Sequence, residues 1–483
     1  MVNKLLPISE NVEAIAEGNL TIEESVKLSL ENIAESNPTY NAIIWQDESF
    51  IESQIAELKH KTKDISNEDL LEHFPLLGVP ITVKELDSPI IGTENSWGNK
   101  VLKSCGWKDS ITADTVKLIQ NAGAIIVGKT NNPEFGLPII TYSDAHGECL
   151  NPLDTLRNAG GSSGGAAACV ASGMTRSSLG GDGGGSIRIP SSNCGLWGLK
   201  PSRGRISGGP IADQAWSGLA SKGPIASSLD DLVRTFNVLA QPIESSESLS
   251  QNYIQDAYKD VSKLKIGVRS LGLADLYPIH PAIGNAVNKL VKFLESLGHS
   301  VDNVYPDIFD DSSIIKHQSH IIAHHIGEDL YEAIRRSNNT LTFEDCELTT
   351  QYFLDLNSEM QPSDFDIAHS QIEKIAKQFD TYFDEYDVLI TPTCGDFAPT
   401  LDFSESDNDG LAAYIYAGLT FIANMAGAPA LSVPVKTAHE SGLPAGIQII
   451  AKRGRDDLVL QLGALLEKDY SDIFITNIET ITN

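Results

Sequence analysis

The chain has few basic residues, few cysteines and no long apolar run. Lysine and arginine total 35 against 65 aspartates and glutamates, giving a formal net charge of −30. A surface of that sign repels phosphate, which argues against nucleic acid or an anionic membrane as a partner and favours solubility. The six cysteines (Cys105, Cys149, Cys169, Cys194, Cys346 and Cys394) lie far apart with no Cys-x-x-Cys pair. That spacing argues against a disulfide framework or zinc ribbon and fits a reducing compartment. No stretch approaches the roughly 18 apolar residues that a membrane-crossing helix needs. The opening Met1-Val-Asn-Lys-Leu-Leu-Pro7 lacks the apolar core of a signal peptide, so a cytoplasmic protein is expected. What is present is ordinary globular composition, 41% hydrophobic and 21% charged over 483 residues, enough for a large core. Length alone suggests two or three domains.

Patterning along the chain is of α/β type. Thr21 and Glu24 make a capping box, followed by an apolar stripe of Ile22, Val26, Leu30 and Ile33 that Pro38 is expected to end. A second helix is expected over 48–59. A buried strand at 78–83, a helix at 112–121 and a strand at 124–127 imply a parallel, right-handed crossover. Residues 158–209 are dominated by glycine and serine. A flexible linker is one reading of such a stretch. The interleaved Ala166-Ala-Ala-Cys-Val-Ala171 favours a compact element in which small residues let chains approach closely. Further on, a strand is expected at 264–268, a helix at 281–297 capped by Gly298, and a long helix at 366–383. Strands are expected at 388–390, 431–435 and 447–450. No internal repeat and no linker interrupts the pattern, so one large α/β domain is the better expectation.

Three segments carry chemistry: Gly78-Val-Pro-Ile-Thr-Val-Lys84, Gly160-Gly-Ser162-Ser163-Gly-Gly165, and Asp182-Gly183-Gly184-Gly185-Ser186-Ile187-Arg188-Ile-Pro190. Taken alone, Lys84 reads as a surface lysine at a strand end. The glycine-rich loops read as anion nests, but neither a phosphate loop ending in Gly-Lys-Ser/Thr nor a dinucleotide fingerprint after a strand is met in context.

Taken together, the three segments resemble the amidase signature family, in which a lysine, a Gly-Gly-Ser-Ser-Gly-Gly element and an Asp-x-Gly-Gly-Ser-Ile-Arg element follow in that order. Ser186 lies 24 residues after Ser162, which lies 78 after Lys84. The resemblance continues through Cys194-Gly-Leu-Trp-Gly-Leu-Lys-Pro201, Asp387-Val-Leu-Ile-Thr-Pro-Thr393 and Gly442-Leu-Pro-Ala-Gly-Ile-Gln448, nearly the whole chain. Within it, Asp182–Pro190 and Lys200-Pro-Ser-Arg-Gly-Arg205 are similar to bacterial amidases of the cyclic-dimer nylon-oligomer hydrolase type.

The resemblance implies an α/β amidase signature fold: one large mixed, mostly parallel sheet with helices on both faces. It spans 1–483 as a helical segment (1–60), a signature core (75–235) and a C-terminal α/β part (260–483). It implies hydrolysis of a small or medium carboxamide through an acyl-enzyme by a Ser–cis-Ser–Lys triad, here Ser186, Ser162 and Lys84, with the Gly161–Ser162 peptide cis. The chemistry is self-consistent. A serine hydroxyl is a poor nucleophile until a base takes its proton, and a lysine serves as that base when burial disfavours its ammonium form. Ser162 would relay the proton. The oxyanion hole maps onto the backbone N–H groups of Gly183, Gly184, Gly185 and Ser186, and Asp182 and Arg188 are expected to pair and hold the loop. No cofactor and no metal are implied. The partner expected is a small-molecule amide, with a second copy of the chain as the one protein partner allowed. Two positions depart from the family pattern: Gly181 stands where Thr or Ser is usual, and Glu85 where Asp is usual.

Weaker signals remain. His317, His320, His324 and His325 cluster at helical spacing but lack a His-Glu-x-x-His pattern. The resemblance places this stretch near the substrate cleft, so a pocket-lining role is expected for some of them. Cys194 lacks a base and reads as a small buried residue, and Trp197 and Trp216 read as core or cleft wall. The specificity pocket is expected around Trp97, residues 142–146 and residues 412–423. Two other functions share the motifs. The glutamine-hydrolysing component of a tRNA-dependent amidotransferase would need a Gly-Phe-Gly-x-Glu-Val-Lys-Arg-Arg segment, which residues 342–364 do not contain. An amide-forming acyltransferase would resolve the same acyl-enzyme with an amine instead of water.

Overall fold

The computed structural model describes residues 4–210, 215–242, 252–275, 278–404 and 412–474. The outermost residues of the expected N- and C-terminal segments therefore lie outside the described residues. The strands are β1 (Ile43–Trp45), β2 (Pro80–Lys84), β3 (Ile125–Thr130), β4 (Leu150–Asn151), β5 (Asp154–Asn158), β6 (Ser177–Asp182) and β7 (Trp197–Lys200). They continue as β8 (Ser221–Ala226), β9 (Lys265–Val268), β10 (Ser300–Asp302), β11 (Val388–Pro392), β12 (Ala430–Val435) and β13 (Ala445–Ala451). Eleven of them form one mixed sheet in the order β1-β3-β2-β6-β8-β7-β12-β13-β11-β9-β10, and β4 pairs with β5 apart from it. Parallel pairing joins β3-β2-β6 towards one edge and β11-β9-β10 at the other, with antiparallel pairs between them and β1 added antiparallel to β3 at the first edge. The expected β2–helix–β3 crossover is there, its helix running Asp114–Asn121.

Strands β2, β3, β6, β7, β11, β12 and β13 are buried along their whole length. A sheet covered on both faces selects continuous apolar runs such as Val388-Leu-Ile390 over strict alternation. The helix Pro281–Ser296 buries Ile283, Val287, Leu290 and Leu294, with Gly298 beyond it at φ 87°. The helix Gly164–Ala171, read from sequence as compact rather than flexible, is buried at every position. One expectation is corrected. The helix opened by the Thr21–Glu24 capping box runs Ile22–Tyr40 and contains Pro38. A proline in the last turn forfeits one hydrogen bond, and the chain leaves the helix only at Asn41, whose φ of 51° is left-handed.

The register places the site. Thr82 and Val83 of β2 lie beside Ser178 and Leu179 of β6 in parallel. On that register Lys84, the last residue of β2, falls opposite Gly180, two residues before β6 ends at Asp182. Carboxyl ends of parallel strands are where open α/β sheets leave a crevice for ligands.

Candidate active site

Lys84 is the last residue of β2 and only 2% exposed. Its Nζ donates to Ser162 Oγ at 2.9 Å. Ser162 sits in the turn before the helix Gly164–Ala171, and the Gly161–Ser162 peptide is cis. Ser186 follows the Gly183–Gly185 turn that leaves β6, is half-buried, and accepts through its carbonyl oxygen a 3.1 Å bond from the Ser163 N–H. Lys84, Ser162 and Ser186 open onto one cavity of about 490 Å³.

The turn is held by a buried ion pair. The Asp182 and Arg188 side chains have no exposure. Arg188 Nε and NH2 donate to Asp182 Oδ2 and Oδ1 at 2.9 and 2.8 Å. The same guanidinium donates to the Thr420 carbonyl at 2.7 Å, to Asn424 Oδ1 at 2.6 Å and to Gln448 Oε1. Burial pushes the Asp182 carboxyl up, but Arg188, Asn424 and Lys200 outweigh it and hold the group at about 2. Asp182 also accepts from the Gly185 N–H at 2.8 Å and the Ile187 N–H at 3.2 Å. The Gly185 N–H, expected among the oxyanion donors, is thus engaged inside the turn. Its φ of 134° and the 2.3 Å that would separate a Cβ there from Thr420 Oγ1 require glycine.

Two cavities meet at Ser186, with Gly136 and Trp216 in the wall of both. The larger, about 630 Å³, is walled mainly by apolar side chains, among them Ile140, Ile322, Tyr352, Phe353, Ala417 and Phe421. Glu347 at its edge is pushed up to about 8 by burial and by Glu134 and Asp144. The smaller is the more polar of the two. Trp97 and Trp107 sandwich the Arg336 guanidinium at 3.9 Å on each side. Asp329, also in its wall, is pushed up to about 7 by burial and the neighbouring Glu328.

The expected pocket segments divide between the two: Trp97 lines the smaller, and Tyr142, Asp144, Ala413, Ala417 and Phe421 line the larger. Of the four histidines on the helix Ser313–Arg336, His325 lines the smaller cavity. It contacts Ser217 Oγ at 2.9 Å through Nε2 and Glu328 Oε2 at 2.9 Å through Nδ1. The other three line neither cavity. Among the described residues, the grouping of ligand atoms close enough to share a metal ion is Asp69, Glu72 and His73, all exposed and outside both cavities.

Burial pushes the Cys194 thiol far up, so it offers little thiolate. Trp197 is core, in β7, while Trp216 is cleft wall. Glu85, one of the two departures, turns away from Lys84 and accepts from the Ser96 N–H at 2.8 Å and from Ser96 Oγ at 2.9 Å. Burial pushes its carboxyl up. Gly181, the other, borders the smaller cavity beside Asp87. Apart from His325, the sequence pattern did not mark Asp87, Trp107, Arg336 or the wall residues of the helices Ser313–Arg336 and Leu348–Glu359. Only the Asp at the third position after Lys84 carried a signal, as a charge on the strand's exit.

Residues 24–460 match the Amidase family profile. The chain is 29% identical over 472 residues to the 6-aminohexanoate-cyclic-dimer hydrolase of Paenarthrobacter ureafaciens, covering 94% of this chain and 93% of that one. It is 32% identical over 464 residues to the A component of the glutamyl-tRNA(Gln) amidotransferase of Deinococcus deserti, covering 90% of each. Among solved structures, 6-aminohexanoate cyclic dimer hydrolase in complex with its substrate superimposes with a TM-score of 0.89 at 27% identity, over 99% of both chains.

Proposed function

The chain belongs to the amidase signature family and is an amide C–N hydrolase, and from that premise we propose that Ser186 is its nucleophile in a Ser186–Ser162–Lys84 triad. Ser186 Oγ attacks the amide carbonyl carbon as its proton passes to Ser162 Oγ, whose own proton passes to Lys84 Nζ. The tetrahedral oxygen takes hydrogen bonds from the turn, for which the N–H groups of Gly183, Gly184 and Ser186 remain, since that of Gly185 is used by Asp182. The C–N bond then breaks, the relay returns the proton to the leaving nitrogen, and water resolves the acyl-enzyme by the same path. The observation that carries this reading is the 2.9 Å contact between a buried lysine amine and Ser162 Oγ in the cavity onto which Ser186 opens.

We further read the larger apolar cavity as the seat of a medium-length acyl chain and the smaller, carboxylate-bearing one as the seat of the leaving amine. 6-Aminohexanoate cyclic dimer, the substrate named for the relative, has both components, five methylenes and an amide nitrogen. Incubation with that dimer, with linear N-acyl amides and with glutamine, read by mass spectrometry against a Ser186→Ala control, tests the reading. Release of an acid and an amine, abolished in the control, is expected. Turnover by the control would refute the nucleophile assignment. Turnover of glutamine alone would favour the amidotransferase reading, for which the Deinococcus deserti relative is the supporting observation.

A further inference from the structure

Gly181 and Asp87 occupy one space. A Cβ on Gly181 would lie 2.2 Å from Asp87 Oδ2 and 2.6 Å from its Cγ, so any side chain at 181 and the observed position of Asp87 exclude each other. In the room that glycine leaves, Asp87 Oδ2 comes within 3.0 Å of Lys84 Nζ. That oxygen is buried and receives no hydrogen bond elsewhere among the described residues. The Lys84 side chain is 3% exposed, so water does little to stabilise a charge on its amine. A second cation near the carboxylate is Lys222, which pairs with Gly181 across β6 and β8. Burial pushes Lys222 down, and Asp87 opposes that shift.

We propose that Asp87 is a positioning residue for Lys84: its carboxylate holds the amine on Ser162 Oγ and balances the charge the amine acquires when it takes the proton. This rests on the Ser186–Ser162–Lys84 reading and adds a fourth member to it. One proton moves, from Ser186 Oγ through Ser162 Oγ to Lys84 Nζ, and none is passed on to the carboxylate. The arrangement follows the general logic in which a base is itself oriented by a third group. It also gives the departure at position 181 a physical reason, because a hydroxyl-bearing side chain there would displace the carboxylate.

The test uses a fluorophosphonate probe, whose reaction with Ser186 needs the base but no particular amide. Asp87→Asn is expected to lower the maximal rate of labelling about 10- to 150-fold, the worth of one hydrogen bond to a charged group, with the probe's half-saturating concentration changed less than about threefold. Gly181→Ala, which leaves Asp87 in the chain but takes its space, is expected to slow labelling similarly. The double variant Asp87→Ala/Gly181→Ala is expected to be no slower than Asp87→Ala. Asp87 borders the open smaller cavity, so formate, and not chloride, is expected to restore part of the rate to Asp87→Ala. Labelling of Asp87→Asn at the parent rate, multiplied losses in the double variant, or no response to formate would each overturn the proposal. Absence of labelling in the parent protein, or its persistence in Ser186→Ala, would instead overturn the nucleophile reading on which it rests.

Discussion

Arg188→Leu leaves the Asp182 carboxylate buried without its counter-charge, in a place where water cannot replace it. The guanidinium makes two bonds to Asp182, at 2.9 and 2.8 Å, and others to Thr420, Asn424 and Gln448, with neither Arg188 nor Asp182 exposed. Removing one partner of such a pair costs about 3–5 kcal/mol. At about 2.1 cal/mol/K per residue, a chain of 483 residues loses roughly one degree of Tm per kcal/mol. Differential scanning calorimetry is therefore expected to show a fall of about 3–5 °C. Replacing both residues, as Asp182→Asn/Arg188→Leu, removes the uncompensated charge and is expected to cost less than the two single changes summed. An unchanged Tm in Arg188→Leu, or strict additivity in the double variant, would refute the view that this pair anchors the turn carrying Ser186.

Acid exposes the same pair from the other side. The Asp182 carboxyl falls from an ordinary 3.8 to about 2 on folding, so its contribution, about 2 kcal/mol, is fully present above pH 3.8 and lost as pH falls through 2. Asp182→Asn should flatten that acid limb in urea titrations. Gly185→Ala should lower kcat by about 10²- to 10³-fold, because the added Cβ meets Thr420 Oγ1 at 2.3 Å and distorts the donors of the turn. Unchanged steady-state kinetics would count against the turn as the oxyanion hole. Ala417→Phe fills the larger cavity from its wall and should depress kcat/KM for long acyl chains while sparing acetyl amides. Equal losses across chain lengths would show that the acyl group sits elsewhere.

How much of this was legible in sequence depended on whether the information was local. The capping box at Thr21 and Glu24, the apolar face of the helix Pro281–Ser296 and the strands around Ile126, Leu389 and Ile449 follow from short-range periodicity, and each element stands where the pattern put it. Pro38 shows the limit of a local rule, since a proline in a final turn costs one bond and not the helix. The three glycine-rich or lysine-bearing segments marked the site because their residue types are unusual together. Its surroundings were not marked. Asp87 reaches Lys84 only because a residue 94 positions later is Gly181. Arg336 meets Trp97 and Trp107 across more than two hundred residues of chain. The first contact arises from how β2 lies beside β6, the second from where the helix Ser313–Arg336 packs, and no periodicity within a single segment encodes either. The same holds for the Gly185 N–H, whose partner Asp182 is near in sequence but whose direction depends on a left-handed turn.

Hydrolysis through Ser186 requires that its Oγ become covalently acylated. Acid-quenched reaction with an activated ester such as p-nitrophenyl hexanoate, followed by peptide mapping, tests it most directly. A hexanoyl adduct is expected on the peptide containing Ser186, absent from Ser186→Ala and depleted in Lys84→Ala. An adduct on Ser162 or Cys194, or continued ester turnover by Ser186→Ala, would contradict it.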